Sequence, residues 1–178
     1  APVCTLAPAI MRRGYGMANL EYGIPLDSRT IFHTGSVGKQ FTAANIAMLA
    51  ESGKISLDDP LSKYFPEFPS WANDITIKQL VYHTSGIRDY LTLAMLAGKG
   101  EDADYYTDDW VLEMLARQQE TNFPPGSQHL YSNSGYLLLA HLVKRASGQS
   151  LREYAQENLF DPLGMTKSHF HDDHTEIV

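Results

Sequence analysis

Ser36 precedes Lys39 by three positions, and the triplet Tyr131-Ser132-Asn133 follows much later in the chain. At a helix start, residues three apart share one face, with Cβ atoms about 5–6 Å apart. The Lys39 amine then reaches the Ser36 hydroxyl. That pairing makes Ser36 a candidate nucleophile and Lys39 its proton handler. A lysine serves as a base when burial or neighbouring cations lower its pKa. Tyr131 supplies a second proton handler, because a phenol beside an ammonium ionises more readily. Asn133 both donates and accepts, which suits holding Lys39 and a substrate carbonyl or amide. The free N–H groups of a helix N-terminus favour the negative charge of an alkoxide or oxyanion. A serine three before a lysine is common by chance, and so is Tyr-x-Asn. Their joint occurrence, one at a helix start and one on a loop, carries the argument.

The elements that position these groups follow from pattern. Residues 13–26 read as extended structure with a turn, punctuated by Gly14, Gly16 and Gly23. Residues 30–33 read as a second extended piece. A helix is expected from Ser36, with Val37, Phe41, Ala44 and Met48 as its buried stripe and Gly53 as its stop. Residues 57–69 read as a structured loop. Thr76 and Gln79 form a capping box that opens a short helix through Tyr82, and Thr84-Ser85-Gly86 ends it. Residues 108–119 read as a helix, with Asp108 and Asp109 at the positive end of its dipole. Pro124-Pro125-Gly126 is a turn that leads to Tyr131. A helix over 134–146 stops at Gly148. Ser150 and Glu153 cap the next one, which runs to about Phe160. Four or five helices and two or three short strands make the chain α+β and helix-rich.

The composition is that of an ordinary globular protein: 178 residues, 43% hydrophobic and 20% charged. A net charge of −7 argues against nucleic acid and anionic membrane surfaces as partners. The acids at Glu101, Asp102, Asp104, Asp108 and Asp109 read as a solvated loop and helix start. Cys4 is the only cysteine, so no internal disulfide forms and a catalytic cysteine is not expected. No apolar run is long enough to insert across a bilayer. Residues 1–10 lack the basic start of a signal peptide. His169, His171 and His174 with Asp172 and Asp173 offer metal-ligand types, but a surface role is preferred and no metal is expected. Trp71, Trp110, Tyr105 and Tyr106 read as core or cleft-wall packing. His83 reads as a capping or loop residue.

At the quoted residues the chain resembles the serine β-lactamase and penicillin-binding protein superfamily. The nearest branch is that of class C β-lactamases, D-alanyl-D-alanine carboxypeptidases and family VIII esterases. Gly14 to Glu21 resembles its opening hairpin, and Gly35 to Ala44 its nucleophile helix. His83-Thr84-Ser85-Gly86-Ile87 and Pro125 to Tyr136 resemble its helical region, and Asp161-Pro162-Leu163-Gly164-Met165 the segment after it. The resemblance implies a β-lactamase/transpeptidase-like fold and an acyl-enzyme mechanism without metal or organic cofactor. It implies that Ser36 attacks a β-lactam, a D-Ala-D-Ala peptide or a small ester. Lys39 and Tyr131 would share the roles of base and acid, and Asn133 would orient substrate and Lys39. It also implies a periplasmic or secreted setting.

The chain departs from that family in length. Family members continue into further strands, one of which carries Lys-Thr-Gly or His-x-Gly beside the nucleophile. His33-Thr34-Gly35 spells one variant, but it leads directly into Ser36 and cannot also face it. The expectation is one incomplete domain over 1–178: short strands in 1–35, nucleophile helix and helical region in 36–165, and a tail in 166–178. A truncated, spliced or unusual form that lacks the C-terminal part of the sheet would expose apolar surface and strand edges, so a homo-oligomer is expected. Two functions follow: a serine hydrolase with reduced turnover, or a non-catalytic remnant that binds a ligand or a protein.

Overall fold

The structure, a computed structural model, describes residues 11, 13–99 and 106–172. Cys4, the opening stretch 1–10, Glu101, Asp102, Asp104, Tyr105, Asp173 and His174 lie outside the described residues. The chain divides into two compact units, with the boundary between Gly35 and Ser36.

In the first unit, β1 (Met17–Asn19) pairs antiparallel with β2 (Ile24–Pro25). Gly14 is there because the backbone passes close by: a Cβ would lie 2.2 Å from the Leu26 carbonyl oxygen. The turn is held by the Asn19 side chain, which accepts from the Tyr22 N–H. The extended piece expected at 30–33 makes no strand pairing among the described residues.

The second unit is helical. Its α-helices are α1 (Lys39–Glu51), α2 (Ile77–Val81), α3 (Tyr90–Leu96), α4 (Asp108–Ala116), α5 (Asn133–Ser147) and α6 (Leu151–Ala155). Helix α1 packs on α5 and α6, and α5 also packs on α2. Ile46 and Leu49 of α1 meet Leu138, Leu139, Leu142 and Val143 of α5 in one fully buried core with Ile77 and Leu80 of α2. Leu61, Phe65 and Ile75 extend that core under the loop before α2.

Local chemistry sets the ends. Both expected capping boxes form, Thr76 with Gln79 and Ser150 with Glu153. Gly148 ends α5 in the left-handed region, at φ 81°. Helix α4 begins after Thr107, which accepts from the Trp110 N–H, and carries Asp108 and Asp109 in its first turn.

Three expectations are corrected. Ser36 does not start the α-helix: it lies in a 3-10 turn, Gly35–Gly38, and α1 begins at Lys39. The buried stripe of α1 is Thr42, Asn45, Ile46 and Leu49. Val37 is 60% exposed, because the 3-10 turn has a different angular step and the α period does not reach back to it. Helix α3 was not expected at all. Its signal is Asp89, whose side chain accepts from the Leu91 and Thr92 N–H groups as an N-cap.

Candidate active site

The 3-10 turn brings Ser36 and Lys39 together. In such a turn side chains three apart nearly eclipse. The Lys39 ammonium donates to Ser36 Oγ at 3.1 Å. It also donates to Asn133 Oδ1 at 2.9 Å, at the first residue of α5. The Tyr131 hydroxyl donates to Ser36 Oγ at 2.7 Å. The ammonium lies 4.9 Å from the Tyr131 ring centroid and 5.6 Å from that of Tyr136. All four residues singled out in the sequence therefore meet at one point. Burial pushes the Tyr131 phenol up, but hydrogen bonds with Lys39 and Ser36 and the Lys39 charge outweigh it, and its pKa lies below the ordinary value.

Two loops hold this arrangement, and the sequence reading missed how. Residues 83–90 lie under the 130–136 segment. The Leu130 N–H donates to the His83 carbonyl at 2.9 Å, and the Ser132 N–H to His83 Nδ1 at 3.1 Å. The Asn133 N–H donates to Asp89 Oδ2. Ser134, fully buried, donates its hydroxyl to the Arg88 carbonyl and accepts from the Tyr90 N–H. Tyr136 donates to the Val81 carbonyl at 3.0 Å. Ser132 N-caps α5 through the Gly135 N–H.

The 83–90 loop is itself clamped. The Gly126 N–H donates to the Thr84 carbonyl and the Asn122 N–H to the Gly86 carbonyl, at 2.8 and 2.7 Å. Gly86 has φ 73°, and a Cβ there would stand 2.4 Å from the Phe123 carbonyl oxygen. Only glycine meets both demands. Asp89 is legible as an N-cap, but its second bond to α5 is not. His83 gives no sequence signal for its left-handed backbone, at φ 57°.

The other residues weighed lie elsewhere. Trp71 is core and donates its indole N–H to the Gln118 carbonyl. Trp110 stacks on Tyr106 and lines a surface cavity of about 210 Å³ with Ala97, Met114 and Gln118, which none of the four site residues borders. The His169 and His171 rings lie 5.7 Å apart, and Asp172 pairs with Arg152. No cluster of metal-ligating side chains is found among the described residues.

Ser36 is exposed, and Tyr131 is 45% exposed. What the arrangement can do is present a hydroxyl to a substrate with an amine and a phenol on its oxygen.

The chain is similar to known proteins over most of its length. The family model described as Beta-lactamase matches residues 9–176. A penicillin-binding protein of Bacillus subtilis (strain 168) is 29% identical over 160 residues, covering 89% of this chain and 35% of that protein. The teichoic acid D-alanine hydrolase of Staphylococcus aureus (strain MRSA252) is 31% identical, over 92% of this chain and 38% of its own length. The octameric penicillin-binding protein homologue from Pyrococcus abyssi superposes with a TM-score of 0.81 at 30% identity, over 95% of this chain and 39% of that one. The chain thus spans somewhat more than a third of the length of these relatives.

Proposed function

We propose, from the premise that this chain belongs to the beta-lactamase family, that it is a serine hydrolase working through an acyl-enzyme on Ser36. The carbonyl of a β-lactam, a D-alanyl peptide or a small ester is the target. Ser36 Oγ bonds to the acyl carbon while the bond to the leaving group breaks. The proton leaves Ser36 for its partner base and passes on to the departing nitrogen or oxygen. Water then releases the acyl group by the same route in reverse.

The observation that supports this reading is the pair of contacts on Ser36 Oγ. Lys39 and Tyr131 both donate to that oxygen. For Ser36 to lose its proton, one of them must first lose its own. Tyr131, held below its ordinary pKa, is the better-placed base, with Lys39 stabilising the phenolate. Asn133 keeps Lys39 in place through its Oδ1, and its amide nitrogen is a donor that a substrate carbonyl can meet. The D-alanine hydrolase among the relatives favours a D-alanyl ester as one substrate to try. No metal or organic cofactor enters this chemistry. The whole chain is read as one beta-lactamase-like domain that forms a homo-oligomer, in line with the octameric relative.

The exposure of Ser36 and Tyr131 favours a second reading, a binding module that keeps the site but does not turn over. Intact-mass measurement after incubation with a penicillin, and separately with a p-nitrophenyl ester, decides between them. A covalent adduct lost in Ser36→Ala is expected. No adduct, together with ester hydrolysis no faster than in Ser36→Ala, leaves only the binding module.

A further inference from the structure

His83 stands behind the proposed base, and its contacts are of a kind that a packing residue does not need. Its backbone sits at φ 57°, a region few residues other than glycine occupy without cost. Its carbonyl accepts from Leu130, and its Nδ1 accepts from Ser132. These two bonds bracket Tyr131. Its ring also lies 4.6 Å from the Tyr131 ring and 5.1 Å from the Tyr136 ring, tilted by 33° and 32°. Backbone and side chain of one residue thus grip the base from both sides.

We propose that His83 is a positioning residue: through its unprotonated Nδ1 it holds the Tyr131 hydroxyl on Ser36, and protonation of that nitrogen releases the hold. The reason is directional. A neutral imidazole bonded this way has its lone pair on Nδ1 and its proton on Nε2. Adding a proton to Nδ1 turns the acceptor into a second donor that faces the Ser132 N–H. The bond is then lost, and the Tyr131 segment keeps only its backbone tie to His83.

The charges around the ring act in the same sense. Lys39 of α1 and His129 of the loop before Tyr131 face it, the His129 ring at 6.0 Å, and Tyr131 and Tyr136 complete its surroundings. Burial pushes the imidazole below its ordinary pKa, and His129 and Lys39 push the same way. The hold therefore persists at neutral pH and fails only in acid.

The proposal rests on the acyl-enzyme reading for its effect on rate, but not for its geometry, so its test has two arms. The variants are His83→Asn and His83→Gly. Both suit a left-handed backbone, so neither adds strain there. Asparagine keeps an acceptor oxygen near the place of Nδ1 and does not titrate. Glycine keeps the backbone bond alone.

In the first arm, the Ser132 amide and the His83 imidazole are followed by 15N NMR from pH 8 downward. The Ser132 amide is expected to shift with His83 in the wild type and to stay still in His83→Asn. In the second arm, acylation of Ser36 by a p-nitrophenyl ester is timed at neutral pH. His83→Asn is expected within about threefold of wild type, and His83→Gly at least about tenfold slower. A Ser132 amide that ignores the His83 titration overturns the proposal. So does His83→Gly acylating as fast as wild type. If wild type itself forms no adduct, the acyl-enzyme reading fails and the NMR arm alone decides the hold.

Discussion

The Tyr131 hydroxyl rests 2.7 Å from Ser36 Oγ across 95 residues of chain. Neither residue is adjusted by its sequence neighbours alone. Ser36 is set by a 3-10 turn before α1, and Tyr131 by a loop tied down to residues 83–90. Their meeting depends on α1 and α5 packing face to face.

Tyr131→Phe removes the hydroxyl and keeps the ring that packs on His83. Its acylation rate is expected to fall by about 10²–10⁴, the usual worth of a positioned acid or base. The thermal midpoint should move little, because Tyr131 is 45% exposed and keeps its ring contacts. Timed ester acylation and a thermal melt check both halves. A large drop in melting temperature would mean that Tyr131 acts chiefly in the fold.

Lys39→Met tests what lowers the Tyr131 phenol. The opposing influences are burial, which raises it, and the Lys39 and Ser36 contacts, which lower it. Removing Lys39 takes away two of the three lowering influences and leaves the Ser36 hydrogen bond alone against burial and the Asp89 charge, which both raise it. The phenol is therefore expected to titrate at higher pH in Lys39→Met than in wild type. Phenolate absorbance, taken as a difference against Tyr131→Phe in each background, reads this directly.

Asp89→Ala removes an N-cap and the partner of the Asn133 N–H in one step. The expected loss is about 1–3 kcal/mol of stability, from the cap and from the amide left without its acceptor. Urea unfolding measures it. Asp89→Asn should recover much of the stability, since an amide oxygen can still accept. Acylation should fall in Asp89→Ala, because Asn133 then no longer holds Lys39 squarely.

Asp59 carries an acid-stability prediction. It accepts from Lys63, from Tyr64 and from the Ser56 N–H, and its carboxyl is lowered from 3.8 to about 2. The folded pKa is the lower one. Its stabilising contribution is therefore full above pH 3.8 and is lost as the pH falls through about 2. Asp59→Asn should lower stability at neutral pH and flatten the acid slope between those values. Urea midpoints at neutral pH and at about pH 3 show whether the two proteins converge.

Gly86→Ala probes the clamp under the site. A methyl group would meet the Phe123 carbonyl oxygen at 2.4 Å, and φ 73° is already strained for alanine. A loss of about 2–3 kcal/mol is expected, because backbone must move. Gly148→Ala, with the same sign of φ but open space around it, should cost less. A pair of urea titrations compares them.

Much of this protein was legible without coordinates, and the legible parts share a cause. Both capping boxes, the stop at Gly148 and the pairing of Ser36 with Lys39 depend on residues within a few positions of one another. Such contacts follow from spacing and local hydrogen bonding. The family pattern around Ser36, Lys39, Tyr131 and Asn133 extended that reading to a fold and a chemistry. What needed the tertiary structure is whatever joins distant segments. The buried face of α1 is chosen by α5 and α6, not by the period that Val37 suggested. Asp89, the N-cap of the seven-residue α3, is a local signal, but the bond from the Asn133 N–H to its second oxygen joins residues 44 apart. His83 looked like a loop residue for a similar reason: its work is done on Tyr131, 4.6 Å away in space and distant in the chain. The residue types of the site were thus a property of the sequence. Their orientation was decided by long-range hydrogen bonds, which no local pattern encodes.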